Sequence, residues 1–188
     1  ASAITGSVSI VSNQLQYTPA SNDNGNDTIS YTISDGNGGT ADGSVVVTIN
    51  AVNDAPVALS DTISTDEDNS VNINVISNDS DVEGDALTII SASATTGSVS
   101  IVSNQLNYIP VANDNGSDSI SYTISDGNGG TANGSVTVTI NPVNDNPVAS
   151  NDSSSTDEDV GVTINVIGND SDIDGDTLTV TSASATTG

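Results

Sequence analysis

The chain has 188 residues and no Lys, Arg or His, so its 25 Asp and Glu residues give a formal net charge of −25. A chain without cationic side chains has nothing with which to hold phosphate, which excludes nucleic acid and an anionic membrane surface as partners. The lack of Cys, His and Lys removes disulfides, thiolate metal sites, nucleophilic triads and Schiff-base chemistry together.

A shift of 91 residues superposes the chain on itself: Gly6, Gly97 and Gly188 fall in step, and the ten residues from Gly6 to Leu15 are identical to those from Gly97 to Leu106. The same shift carries Asp35-Gly-Asn-Gly-Gly39 onto Asp126-Gly-Asn-Gly-Gly130. A period of this length is the mark of tandem structural units. The chain opens in mid-pattern at Ala1, with no charged leader and no apolar run near the roughly 20 residues of a membrane helix. It is therefore expected to be an internal piece of a longer protein, without membrane insertion, with any export signal lying elsewhere.

Following one period along the chain, the first element is the linker Val52-Asn53-Asp54-Ala55-Pro56-Val57, which recurs as Val143-Asn144-Asp145-Asn146-Pro147-Val148. Pro cannot donate to a central strand and stiffens a connection, so each linker marks a boundary between units. A strand is expected near Val57–Ile63, followed by the acidic triplet Asp66-Glu67-Asp68 and its copy Asp157-Glu158-Asp159. Next, Val71, Ile73 and Val75 alternate with polar residues, as a half-buried strand requires.

The cluster Asp79-Ser-Asp81-Val-Glu83-Gly84-Asp85 follows, repeated as Asp170-Ser-Asp172-Ile-Asp174-Gly175-Asp176. Carboxylates at every second position of a loop that turns at Gly can converge on one hard cation. Ca²⁺ accepts six to eight oxygens in flexible geometry, whereas Mg²⁺ demands a near-ideal octahedron. The spacing resembles the first half of an EF-hand loop, but its twelfth position holds Ile90 in one copy and Thr181 in the other, so this is not an EF-hand. A solvated acidic turn is the plainer reading of the cluster, and an Asx-turn the plainer reading of each linker. On the calcium reading, linker oxygens of Asn53, Asp54, Asn144 and Asp145 join acids of the adjoining units, including Glu67, Asp68, Glu158 and Asp159, at the junctions.

Alternation continues through Leu87 and Ile89, Val99 and Ile101, Leu106 and Tyr108, Ile120, Tyr122 and Ile124, and Val136, Val138 and Ile140. Asp126-Gly-Asn-Gly-Gly130 stands between two long alternating runs and reads as a hairpin connection. About seven strands per 91-residue repeat, without any 3.6-residue periodicity, suit an all-β immunoglobulin-like sandwich. With no Phe, Trp or Met, and with Tyr17, Tyr31, Tyr108 and Tyr122 the only aromatics, the core is thin and needs added stabilisation.

The run Asn53-Asp-Ala-Pro-Val57, Asp66-Glu-Asp68, Asn78 to Thr88, Tyr122 to Gly130 and Val136 to Asp145 resembles the bacterial cadherin-like and immunoglobulin-like tandem repeats of giant secreted adhesins. One departure is Glu83, where the other copy has Asp174. The resemblance covers essentially the whole chain and implies cadherin-like sandwiches rigidified by Ca²⁺ between domains, type I secretion, and a bacterial extracellular or cell-surface location, with the array holding a binding tip away from the cell. Its domain start divides the chain into the C-terminal half of one repeat (1–52), a complete repeat (53–145) and the N-terminal half of the next (146–188).

The partners expected are neighbouring repeats, in cis or head-to-tail in trans by complementing halves, unless the ends are arbitrary cuts. A two-carboxylate glycosidase lacks aromatic sugar platforms and would not repeat its site. A calcium-dependent carbohydrate- or surface-binding module remains open. Asn78-Asp-Ser80 and Asn133-Gly-Ser135 satisfy the glycosylation rule, which a chain this rich in Asn and Ser meets by chance.

Overall fold

The computed structural model describes residues 5–186; the repeat landmark Gly188 lies outside the described residues. The strands are β1 (Ser7–Val11), β2 (Gln14–Thr18), β3 (Gly25–Ser34), β4 (Thr40–Ile49), β5 (Asp61–Asp66), β6 (Val71–Ile73), β7 (Thr88–Ala94), β8 (Ser98–Val102), β9 (Gln105–Ile109), β10 (Gly116–Ser125) and β11 (Thr131–Asn141), with one 3₁₀ turn at Val75–Asn78. The protein is all-β, as its alternating pattern requires. Seven strands, β5 to β11, arise from the central repeat, and their order is β5-β11-β10-β7 in one sheet and β6-β9-β8 in another.

The described residues fall into two compact units. One comprises residues up to 58 with 76–90 and 123–133; the other comprises 59–75, 91–122 and 134 onward. In the second unit, Ile73, Leu106 and Tyr108 from the three-stranded sheet and Ile120, Tyr122, Val136, Val138 and Ile140 from the four-stranded sheet are all buried. These inward positions are alternate residues of their strands, so the period of two delivers one apolar face per sheet. β5 runs parallel to β11, from Asp61 opposite Val136 to Asp66 opposite Asn141. The Tyr122 hydroxyl donates to the Leu59 carbonyl at 3.0 Å, giving a buried ring its polar partner.

Two local expectations are corrected. The strand placed near Val57–Ile63 begins instead at Asp61, while Val57 makes an isolated bridge with Ser80. Val75 is not in a strand: the β6 ladder with β9 ends at Ile73, and Val75 enters a 3₁₀ turn while remaining fully buried. Alternation locates a buried side chain, but the strand ends where its partner does.

In the first unit, β1 pairs with β2 and β3 with β4, each as an antiparallel hairpin. These are the copies of β8 with β9 and of β10 with β11. Their residues are less covered: Tyr17 and Tyr31 are half-buried, whereas Tyr108 and Tyr122 are buried. Beyond Asn141 the described residues contain no strand, only the bridge between Val148 and Ser171.

Candidate metal centres

Each acidic loop is built by its first aspartate in the turn. The Asp81 Oδ1 accepts the N–H groups of Glu83 (3.0 Å) and Asp85 (3.2 Å), and the Gly84 N–H reaches the Asp81 carbonyl at 3.3 Å. Gly84 sits at φ +80, in the left-handed region that favours glycine. The copy repeats this geometry, with Asp172 Oδ1 accepting from Asp174 at 3.0 Å and Asp176 at 3.2 Å, and Gly175 at φ +77. In both loops the turn spends one carboxylate oxygen on backbone. The other oxygen of Asp81 is buried and has no hydrogen-bond partner.

In the first unit, linker residues join this loop. The Asp54 N–H donates to Glu83 Oε2 at 3.3 Å, and the Asn53 amide donates to Asp126 Oδ2 at 2.8 Å. The Asn128 amide donates to Asp85 Oδ2 at 2.7 Å. Asp126 is 4 % exposed. The Asn53 amide, together with the Asn128 and Gly130 N–H groups, holds its carboxyl below the usual carboxylate range against the opposing effect of burial. Asp54 and Glu83 line a cleft with Asn22, Asp23 and Asn24.

The second unit repeats the arrangement 91 residues on. The Asp145 N–H donates to Asp174 Oδ2 at 2.7 Å. Asp145 shares a cleft with Asn113, Val148, Ser171 and Asp172. Glu67, only 2 % exposed, accepts the Val143 N–H of the linker. Asp68, at φ +60, accepts the Asn113 N–H at 3.0 Å. The Asn113 side-chain amide lies 3.3 Å from Asp145 Oδ2 and 3.2 Å from Asp68 Oδ2, to which its NH₂ donates once the amide is turned that way.

Carboxyl oxygens of Asp172, Asp174 and Asp176 lie within 4.8 Å of one another. Desolvation, then the charges of Asp174, Asp68, Glu67 and Asp172, push the Asp145 carboxyl above its ordinary value. A group that resists ionising beside four carboxylates is one that a cation would relieve.

The structure thus brings Asn53, Asp54, Glu83 and Asp85 into one neighbourhood, and Glu67, Asp68, Asp145 and Asp174 into another. Asp170 is engaged elsewhere, accepting the Ser150 N–H at 2.8 Å, and the Asp79 N–H closes the 3₁₀ turn on the Ile76 carbonyl at 3.2 Å. Asn144 donates to the Asp145 carbonyl at 2.7 Å. Glu158 and Asp159 are exposed in the turn closed by the Val160 N–H on Asp157. Sequence reading missed Asp126, Asn128 and Asn113 as members of these clusters. The first two read in the sequence as turn formers, and their polar side chains at the strand end beside a linker are the available signal.

The oxygen-rich donor set and the unpartnered Asp81 oxygen fit a hard divalent cation, which Asp54, Asp81, Glu83 and Asp85 would hold in one neighbourhood and Glu67, Asp68, Asp145, Asp172 and Asp174 in the other.

Among solved structures, an endo-fucoidan hydrolase of glycoside hydrolase family 107 is 20 % identical over 76 % of this chain and 23 % of its own, with a TM-score of 0.36. A nucleoside hydrolase-related protein from Saccharophagus degradans is 24 % identical over 50 % of this chain and 26 % of its own, at 0.37. The titin domains Z1Z2 are 12 % identical over 73 % of each chain, at 0.27. The chain spans about a quarter of the length of the two hydrolase-related proteins. No curated protein matches it. The bacterial Ig domain model matches three successive segments, 1–48, 53–139 and 144–188, and with repeated strands, sheets and linkers on the same 91-residue period the chain belongs to the bacterial Ig domain family.

Proposed function

We propose that this chain is a calcium-stabilised structural repeat of an extracellular bacterial adhesin or filament, acting as a stiff spacer rather than as a catalyst. The observation that carries this reading is the meeting of Glu67 and Asp68 from before the Pro147 linker with Asp145, Asp172 and Asp174 around and after it, in a chain with no cationic side chain. Residues from both sides of a linker that share one cation lose their freedom to move independently. Because the ligands come together only in the folded chain, metal binding and folding are one equilibrium. Bound Ca²⁺ supplies the missing positive charge; the chain's own residues supply the turn, the donor oxygens and the burial. A low-calcium cytoplasm then leaves the chain loose enough for export, and a calcium-rich exterior locks it.

The test is thermal unfolding followed by circular dichroism, with calorimetric titration of Ca²⁺ and with Mg²⁺ as control. The expected result is a melting temperature that rises with Ca²⁺ and far less with Mg²⁺, together with saturable Ca²⁺ binding. An identical melting curve in chelator and in millimolar Ca²⁺ overturns the reading.

A further inference from the structure

The three-stranded sheet runs β6-β9-β8, so β8 is an edge strand of the central repeat. No Asp or Glu occurs from Ala86 to Asn113, the longest such stretch in a chain of net charge −25, and β8 lies inside it. The other edges of the central repeat differ. β5 carries Asp61 and Asp66, β6 is three residues long, and β7 loses its alternation at Ile90 and Ser91, which are both exposed. On β8, Ile101 is 40 % exposed although its register partner Leu106 is at 0 %, and Val99 is half-buried opposite the buried Tyr108. The apolar row of the core face thus runs out to the rim of the sheet and stops there uncovered.

The turn after β8 fixes which of its backbone groups face that rim. Ser103 and Asn104 have φ of 51 and 60, the two-residue turn whose flanking residues, here Val102 and Gln105, form a hydrogen-bonded pair. Along the antiparallel register, Ser100 with Asn107 and Ser98 with Ile109 are then bonded pairs too. The N–H and C=O groups of Val99 and Ile101 consequently point away from β9, along the open edge.

We infer that this edge pairs with the β8 edge of a second copy of the chain, antiparallel and centred on Ser100. In that register Val99 of one copy exchanges both backbone hydrogen bonds with Ile101 of the other, and the reciprocal pair does the same. A slip of two residues would set Ile101 against Gly97 or Val99 against Ser103, beyond the ends of the strand, and a slip of one would turn the apolar side chains to opposite faces. The two core faces join into one apolar row, with Ile101 of each copy covering Val99 of the other. Like charge keeps copies of a polyanion apart, and an uncharged edge is where that repulsion is least. The contact is isologous and closes on a two-fold axis. The same five residues recur as β1, so weak pairings at successive repeats add up between neighbouring chains. This pairing rests on strand geometry and not on calcium, so it and the calcium reading can fail separately.

The pairing puts Ser100 directly opposite Ser100 of the second copy as a non-hydrogen-bonded pair, whose Cα separation of about 4.5 Å is within disulfide reach. Ser98 instead faces Val102, which leaves the two Ser98 residues about 13 Å apart along the strands. Both positions are exposed, and the chain has no cysteine of its own. Full-length Ser100→Cys and Ser98→Cys are oxidised in separate reactions in Ca²⁺ and high salt, which screens the remaining charge. The expected result is a disulfide-linked dimer at least several-fold more abundant for position 100 than for position 98. Sedimentation of the unaltered chain should show mass growing with concentration. The double variant Ser9→Asp with Ser100→Asp, which sets like charges opposite each other at exposed positions, should return it to monomer with unchanged circular dichroism. Equal cross-linking at 98 and 100, a monomer at every concentration in high salt, or association unaffected by the two aspartates overturns the inference.

Discussion

Asp118 shows how one buried carboxylate organises a strand end in a chain without cations. It accepts the N–H groups of Gly97 at 2.9 Å and Ser119 at 2.7 Å, and the Tyr108 hydroxyl at 2.7 Å. Burial alone would raise its pKa, but these donors outweigh it and bring the carboxyl down to about 2. Because the folded value lies below the ordinary 3.8, the stability it contributes is complete above that pH and is lost as pH falls toward 2. Asp118→Asn is expected to cost about 2 kcal/mol in urea unfolding at pH 7, typical of hydrogen bonds to a charged group, and the difference from the parent chain should shrink near pH 2. Gly134 is a second such position. A Cβ there would overlap the ring of Tyr122, so Gly134→Ala should destabilise by about 1–3 kcal/mol through overpacking, read from the same unfolding curves. Neither residue stood out in the sequence, because a 91-residue shift repeats structural, functional and incidental positions alike.

Among the elements, the acidic loops and the linkers are where charge and stability conflict. Asp145 has its carboxyl raised by desolvation and by Asp174, Asp68, Glu67 and Asp172. A raised folded value means that, without metal, the stability this group permits is present at low pH and is lost as pH rises through that value. Asp145→Asn is therefore expected to raise the melting temperature in chelator at pH 7 while weakening Ca²⁺ binding by about 10-fold or more, since affinity follows the charge count of the ligand set. Titration calorimetry and melting curves check the two halves of this prediction, and opposite signs distinguish a cation site from an ordinary polar turn. The Asp-x-Asp/Glu-Gly-Asp spacing made the loops legible, because the turn geometry is local. The joining of Asp126 and Asn128 to Asn53 and Asp85 was not legible, because it spans 73 and 43 residues respectively.

For the molecule as a whole, a net charge of −25 with no internal countercharge opposes compaction. Added NaCl should therefore raise the melting temperature in chelator, as the Debye length falls to about 10 Å at 0.1 M, and should raise it less once Ca²⁺ is bound; thermal melts across a salt series check this. The sequence by itself determined the all-β class, the 91-residue period and the carboxylates set at every second position, since alternation, repetition and turn chemistry are properties of neighbouring residues. Tertiary structure alone decided which copies become strands. β1 to β4 form because each pairs with the strand next to it in the chain, as Ser7 does with Thr18 and Gly25 with Ile49. The copies of β5 and β6 near residues 152 and 162 lie in no strand, although the residues at Val162 and Ile164 match those at Val71 and Ile73. Their ladders need partners tens of residues away along the chain, as β5 needs β11 and β6 needs β9, and hydrogen bonds between distant segments are made by the fold and not by the local sequence.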